Sequence, residues 1–204
     1  MSPSALAEFW ELSPESSGDA ARVARGQHDR DVARRLLQAG RVSTDELPEL
    51  VWMWESEHVP VPDVPFTTDG VRLFSPRVRT VLDASLQPRD DVQWLPATIL
   101  DSSGVRHPGW VLHLPAHEDL LDEDATTWGP RRSPIRYVYS RAKLAGHGLT
   151  AYSRPAQVVH TRTGLTLEVP SLITSRAVVI TRQTAGSLRA AGVTGARLAA
   201  APVI

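Results

Sequence analysis

The chain has 204 residues, of which 42% are hydrophobic, so it is long enough to form one domain with a sizeable core. Its formal net charge of -1 gives no overall attraction to nucleic acid or to an anionic membrane. It contains no cysteine, which excludes disulfides, thiolate metal sites and cysteine nucleophiles.

The N-terminal third of the chain contains short predicted elements. They are a strand over residues 6–12, an amphipathic helix over residues 28–39 and a strand over residues 51–54. Prolines at positions 60, 62 and 65 then favour an extended connection or an edge segment laid across a sheet. We therefore expect residues 1–65 to form an N-terminal subregion with a proline-rich connection. Residues 66–204 would form the core of what is overall one compact domain.

A capped helix followed by a strand is predicted in the central stretch, residues 71–100. Ser75 suits the N-cap, and Pro76 suits the first helical position because the N–H that it lacks would have no partner there. Apolar residues follow at helical spacing until a proline and a charged cluster end the helix. Residues 92–100 predict a strand, and the alternating pattern of residues 110–114 predicts its partner.

A similar unit lies near the C-terminus. Residues 178–180 predict a strand, Thr181 is a candidate cap, and residues 182–191 predict a helix. Residues 73–75 align with residues 179–181. This match reflects either a true internal repeat or a strand–helix pattern that is common in proteins. The two units would form the frame of the fold.

The region between the two units is irregular. Residues 116–134 are polar and acidic and predict a surface excursion, whereas residues 158–169 predict a hairpin with a glycine-containing loop. Strands and helices are mixed without a regular alternation. The sequence therefore predicts an α+β fold, with a mainly antiparallel sheet flanked by a few helices and two similar strand–helix–strand units.

Motifs that carry chemistry are scarce in this sequence, which has no glycine-rich phosphate loop and no nucleophile elbow. His113, His117 and Glu118 have the composition of a metal site. Pro115 argues against the shared helix that would place both imidazoles on one face. We expect no catalytic residues and no cofactor. A small metal-dependent hydrolase built on these three residues is the alternative.

Two tryptophans form a candidate binding pair. Trp52 and Trp54 are two positions apart, so their side chains point to the same face of the predicted strand. Beside Glu55 and Glu57, this pair could form an exposed patch, because aromatic side chains anchor many interfaces. The alternative is that this face covers the core.

An acidic tract spans residues 118–124. Five of its seven residues are carboxylates: Glu118, Asp119, Asp122, Glu123 and Asp124. The tract is either a solvated loop or a surface that attracts a basic partner.

Three segments, in the order LFSPRVRTVLDASL, DDVQWLPATI and AVVITRQTAGSLRAAGVTGARL, carry a family resemblance. The Leu-Pro block is Leu95-Pro96, the acidic block is residues 121–124, and the glycine turn is residues 192–195. In these blocks the chain resembles the eleventh family of polymorphic-toxin immunity proteins, formerly a domain of unknown function.

The resemblance implies a bacterial protein that serves interbacterial competition without enzymatic activity. Such a protein binds its cognate toxin domain and neutralises it by protein–protein contact. The carboxylates of the acidic tract, with Trp52 and Trp54, are then the candidate contact residues. A structural adaptor of a secretion system is the second alternative.

The location of the protein is predicted from what its sequence lacks. No apolar run approaches the length of about 18 residues that a transmembrane helix requires. The acidic N-terminal residues also lack the basic start and apolar centre of a signal peptide. We therefore expect a cytoplasmic protein without a membrane or nucleic-acid partner.

Overall fold

A computed structural model describes residues 7–15, 23–38, 40–116, 118–129, 134–159, 166–174 and 177–204. The strands in these ranges are β1 (Phe9–Pro14), β2 (Ala24–Gly26), β3 (Val51–Trp54), β4 (Leu73–Phe74), β5 (Gln93–Leu100), β6 (Arg106–His113), β7 (Thr127–Trp128), β8 (Pro134–Arg136), β9 (Leu149–Thr150), β10 (Ser153–Val159), β11 (Thr166–Thr174), β12 (Val178–Thr181) and β13 (Ala196–Ala200). The α-helices are α1 (Arg30–Leu36), α2 (Pro76–Asp83), α3 (Arg141–Leu144) and α4 (Arg182–Ala190).

Two sheets organise the described part of the chain. One has five strands in the order β2-β3-β5-β6-β4, and the other has four in the order β13-β1-β12-β9. β3 and β5 run parallel, and the other strand pairs of these sheets are antiparallel. β10 with β11, and β7 with β8, form two-stranded ribbons. The predicted α+β class with mainly antiparallel sheets is confirmed.

The two predicted strand–helix–strand units are present and carry matching caps. Ser75 Oγ accepts a hydrogen bond from the backbone N–H of Val78 at the start of α2. Thr181 Oγ1 accepts one from the N–H of Thr184 at the start of α4. Each hydroxyl satisfies an N–H that the helix itself leaves without a partner.

Both helices pack in a central core to which both sheets contribute. Its buried residues are Trp10, Leu12, Val64, Phe74, Val78, Leu82, Leu112, Leu149, Ala151, Val178, Ile180, Ala185 and Leu188. Successive side chains of a strand point to opposite faces, so each sheet also lines a second core. Thus Phe74 lies in the central core while Leu73 faces the α1 core, and Trp10 lies in the central core while Phe9 faces the outer core.

The α1 core lies on the far face of the five-stranded sheet. It consists of Ala24, Val32, Leu36, Val42, Leu50, Trp52, Trp54, Val71, Leu73, Leu95, Ile99 and Val111. The outer core lies on the far face of the four-stranded sheet. It consists of Phe9, Leu120, Leu121, Tyr139, Leu144, Tyr152 and Val179.

The N-terminal residues contribute strands to both sheets. β1 pairs with β12 and β13 in the four-stranded sheet, whereas β2 and β3 join β5 in the five-stranded sheet. The described strands of residues 1–65 are therefore interleaved with strands of residues 66–204 through backbone hydrogen bonds.

Asp63, in the proline-rich connection, ties this connection to both capped units. Its carboxylate accepts hydrogen bonds from Ser75 Oγ at 2.6 Å and from the backbone N–H of Thr194 at 3.0 Å. Burial alone would raise the pKa of Asp63, but these hydrogen bonds and the nearby charge of Arg77 hold it below its usual value. Gly195 has a φ of 69°, and a Cβ there would lie 2.6 Å from Pro62 Cβ, so this turn requires glycine.

Several boundaries differ from prediction for local reasons. α1 begins at Arg30 because Asp29 is its cap, with Oδ1 accepting a hydrogen bond from the N–H of Val32 at 2.9 Å. Residues 116–134 are not wholly a surface excursion, because Leu120 and Leu121 are buried. The hairpin of β10 and β11 is present, and its predicted loop, residues 162–164, lies outside the described residues.

Candidate interaction surface at the acidic tract

The acidic tract rests on a buried apolar base. Leu120 and Leu121 are 1% and 0% exposed, and both belong to the outer core. The backbone of Leu121 forms a β-bridge with Tyr139, and Lys143 Nζ donates a hydrogen bond to the carbonyl of Leu121 at 2.7 Å. These contacts hold the middle of the tract in a defined position on the protein.

The five carboxylates of the tract do not face the same environment. Asp122 Oδ1 accepts hydrogen bonds from the backbone N–H groups of Asp124 and Ala125, and therefore stabilises a turn. Asp119 Oδ1 accepts a longer one, of 3.4 Å, from the N–H of Leu121. Both residues are half-buried, whereas Glu123 and Asp124 are exposed at the tip of the turn. The exposed carboxylates of the tract therefore lie at this tip.

Glu118 turns inward and meets a buried histidine. Glu118 Oε2 lies 2.8 Å from His147 Nε2, within ion-pair distance although the angle does not fit a hydrogen bond. His147 Nδ1 lies 2.9 Å from Asp90 Oδ1, and the side chains of His147 and Asp90 are only 3% and 0% exposed. Asp90 Oδ2 also accepts hydrogen bonds from the backbone N–H groups of Gln87, Gly148 and Leu149.

This chain of three ionisable side chains was not predicted, because its members are far apart in the sequence. The sequence did contain one local indication that His147 is closely packed, because His147 lies between two glycines. A Cβ at Gly148 would lie 1.9 Å from the backbone oxygen of Ser85, so the two segments approach too closely for any side chain there. A histidine beside a glycine that close packing requires is a candidate for a buried polar contact.

An open cleft of about 840 Å³ lies beside His147. The charged residues along it are Glu8, Arg141 and Arg182, and Arg141 Nη1 lies 3.8 Å from Glu8 Oε2. Charges of both signs therefore line this cleft.

A second carboxylate link joins the outer core to β1. Glu11 accepts hydrogen bonds from Tyr139 Oη at 2.9 Å and from Tyr137 Oη at 3.3 Å. Burial, together with the charge of Glu11 and its hydrogen bond, raises the pKa of Tyr137 to about 12. The same causes raise the pKa of Tyr139 above its usual value.

The expectation that Trp52 and Trp54 could form an exposed binding patch is wrong. Their side chains do share one face of β3, but the residues are 0% and 2% exposed and belong to the α1 core. Trp52 Nε1 donates a hydrogen bond to Asp69 Oδ2, and Trp54 Nε1 donates one to the carbonyl of Val59. With their N–H groups satisfied inside the protein, these indoles stabilise the core and are not available to a partner.

Two residues of the alternative metal site, His113 and Glu118, make contacts with different partners. His113 is 1% exposed, and its Nδ1 and Nε2 lie 3.0 and 2.7 Å from the carbonyl oxygens of Leu36 and Gly40. Both ring nitrogens of His113 are therefore in contact with backbone carbonyl oxygens. His117 lies outside the described residues, and Glu118 faces His147. Among the residues that the structure describes, no group of three or more histidine or carboxylate side chains could hold a metal ion.

The chain matches no protein-family model and no curated protein. None of the helices in the described ranges has the length and apolar character needed to cross a membrane.

Proposed function

We propose that this chain is a cytoplasmic immunity protein that binds a cognate bacterial toxin and neutralises it by protein–protein contact. The observation that carries the proposal is the acidic tip at Glu123 and Asp124, held on the buried base of Leu120 and Leu121. A charged turn on a fixed base loses little conformational entropy on binding. The blocks that resemble an immunity family support the same conclusion.

Electrostatic attraction is the mechanism that this surface supports. A toxin that acts on an anionic substrate carries positive charge near its active site. Exposed carboxylates would steer such a surface into contact and increase the association rate. Occupation of the active site, or of a surface near it, would then block the toxin without any chemical step in the immunity protein.

A hydrolytic function receives less support from the same residues. His113 has both ring nitrogens against backbone carbonyls, so it cannot contribute a lone pair to a metal ion without leaving the core.

The test is co-expression with the C-terminal domain of a modular toxin encoded immediately upstream. We expect the wild-type chain to restore growth and the double variant Glu123→Lys/Asp124→Lys to restore it less well. Asp122 stays unchanged in this variant because it stabilises the turn. Asp45→Lys/Glu57→Lys is the matched control, since it changes the net charge equally at two exposed positions outside the tract. Absence of rescue by the wild-type chain would contradict the proposal.

A further inference from the structure

We propose that the open face of the five-stranded sheet is a docking surface for a second copy of this chain. The open face is the side of β2, β3, β5 and β6 that points away from the α1 core. The acidic tract belongs to the outer core, on the four-stranded sheet. Self-association through the open face therefore goes beyond the toxin-binding function proposed above.

The strand register arranges the residues of the open face in three rows, because paired residues of neighbouring strands point to the same side of a sheet. The first row is Trp110 and Pro96, the second is Pro108, Thr98 and Val51, and the third is Arg106, Leu100, Met53 and Arg25. Apolar side chains thus occupy most of the open face, with an arginine at each end of the third row.

The two sides of these strands differ in burial. On the side of the α1 core, Trp52 and Ile99 are buried. On the open face, Met53 and Leu100 are only half-buried and Pro108 is exposed. The apolar residues of the open face belong to none of the three cores that the described residues form.

An uncovered apolar side is unusual for such a sheet. A sheet that packs one side against a core and turns the other to water normally alternates apolar residues with polar ones. Here Val51, Met53 and Leu100 stand at positions where that alternation would place polar residues. A contiguous apolar patch on the surface marks an interaction site.

Helix α2 marks one border of the open face. Arg79 of α2 lies with Cζ 3.7 Å from the centre of the Trp110 ring, and its Nε lies 3.3 Å from Asp83 Oδ2. Phe74, which pairs with Trp110, is buried in the central core. The first row therefore passes from the covered part of the sheet at Phe74 to the open part at Pro96.

Charge balance favours a second copy as the occupant. Arg25 Nε lies 2.6 Å from Glu55 Oε1, and Arg106 forms an ion pair with Glu49. A two-fold dimer brings the same surface to both sides of the interface, so a rim with charges of one sign would repel itself. A rim on which each arginine has a neighbouring carboxylate avoids this repulsion, and it gives no net attraction to a strongly charged partner.

The size of the open face determines how strong the dimer should be. Strands lie about 4.8 Å apart and alternate residues of a strand about 7 Å apart, so three rows across four strands cover roughly 400 Å² in plan. A standard stable interface buries about 800 Å² on each partner. We therefore expect a dimer that exchanges with monomer in a concentration-dependent equilibrium.

Sedimentation velocity of the purified chain tests the proposal. Concentrations from about 1 μM to about 100 μM cover dissociation constants in the micromolar range. We expect the weight-average mass to rise from that of the 22.3 kDa chain towards twice this value across the series.

Met53→Lys is the decisive variant. Lysine keeps an unbranched apolar stem, so the monomer can retain its packing while the dimer would have to bury an ammonium group. We expect the dissociation constant to rise about tenfold or more. Ile135→Lys is the matched control, because it adds the same charge at a 70% exposed apolar residue of β8, outside the open face. This control should dimerise like the wild type.

Two further samples separate loss of docking from loss of folding. Pro108→Lys changes an exposed residue of the open face and should also weaken the dimer, with the urea midpoint of the monomer unchanged. An equimolar mixture of Met53→Lys and Met53→Glu should recover dimer, since the two charges attract across the interface. An unfolded variant would not recover in this way.

A single mass of 22.3 kDa for the wild type at every concentration would overturn the proposal. Equal dimerisation of the wild type, Met53→Lys and Pro108→Lys would also overturn it. A monomeric wild type whose binding to the toxin domain is weakened by Met53→Lys would instead assign the open face to the toxin. The sedimentation series contains no toxin, so its failure is distinguishable from failure of the growth-rescue test.

Discussion

The central core and the outer core are held together by different forces. The central core contains the two capped helices and is apolar, with Val78, Leu82 and Leu188 all 0% exposed. The outer core contains the base of the acidic tract and depends in addition on carboxylate links: Glu11 to two tyrosines, and Asp90 through His147 to Glu118. The central core should therefore respond to changes in volume, and the outer core to changes in charge and pH.

The largest expected effect is loss of volume in the central core. Leu82→Ala should lower the free energy of unfolding by about 2–5 kcal/mol, the range for leucine truncation in a packed interior. Val81→Ala is the control on the same helix, since Val81 is only half-buried. Urea denaturation measures both variants. Equal losses would contradict the assignment of Leu82 to a tightly packed core.

A smaller effect concerns the tyrosines of the outer core. Because the pKa of Tyr137 is raised to about 12, its neutral form stabilises the fold below its ordinary pKa of 10. This contribution is lost as the pH rises from 10 through about 12. Ultraviolet titration should show the ionisation of Tyr137 delayed in the wild type, and Glu11→Gln should lower its pKa towards 10. Ionisation of all three tyrosines near pH 10 in the wild type would contradict the link to Glu11.

Local patterns in the sequence predicted the frame well. Ser75, Pro76 and Thr181 marked the helix starts, because a cap depends on the next three residues alone. The pairing of β5 with β6 followed from the strand predicted over residues 92–100 and the alternating pattern of residues 110–114.

Long-range contacts could not be predicted in the same way. The pattern placed Trp52 and Trp54 on one face of a strand, but it did not indicate which face the α1 core covers. Glu118 meets His147 and Asp90 only after the sheets and helices have packed, and no spacing rule connects these three positions. The sequence identified the acidic tract, and the structure distinguishes its exposed tip from its inward-facing start.

The most direct test of the proposed function is the association rate of the purified chain with the toxin domain at low and high salt. We expect Glu123→Lys/Asp124→Lys to slow association about tenfold at low salt, with a smaller difference at high salt and little change in dissociation. Asp45→Lys/Glu57→Lys should associate at close to the wild-type rate. Equal association rates for the wild type and the tract variant at low salt would contradict the acidic tip as the docking surface.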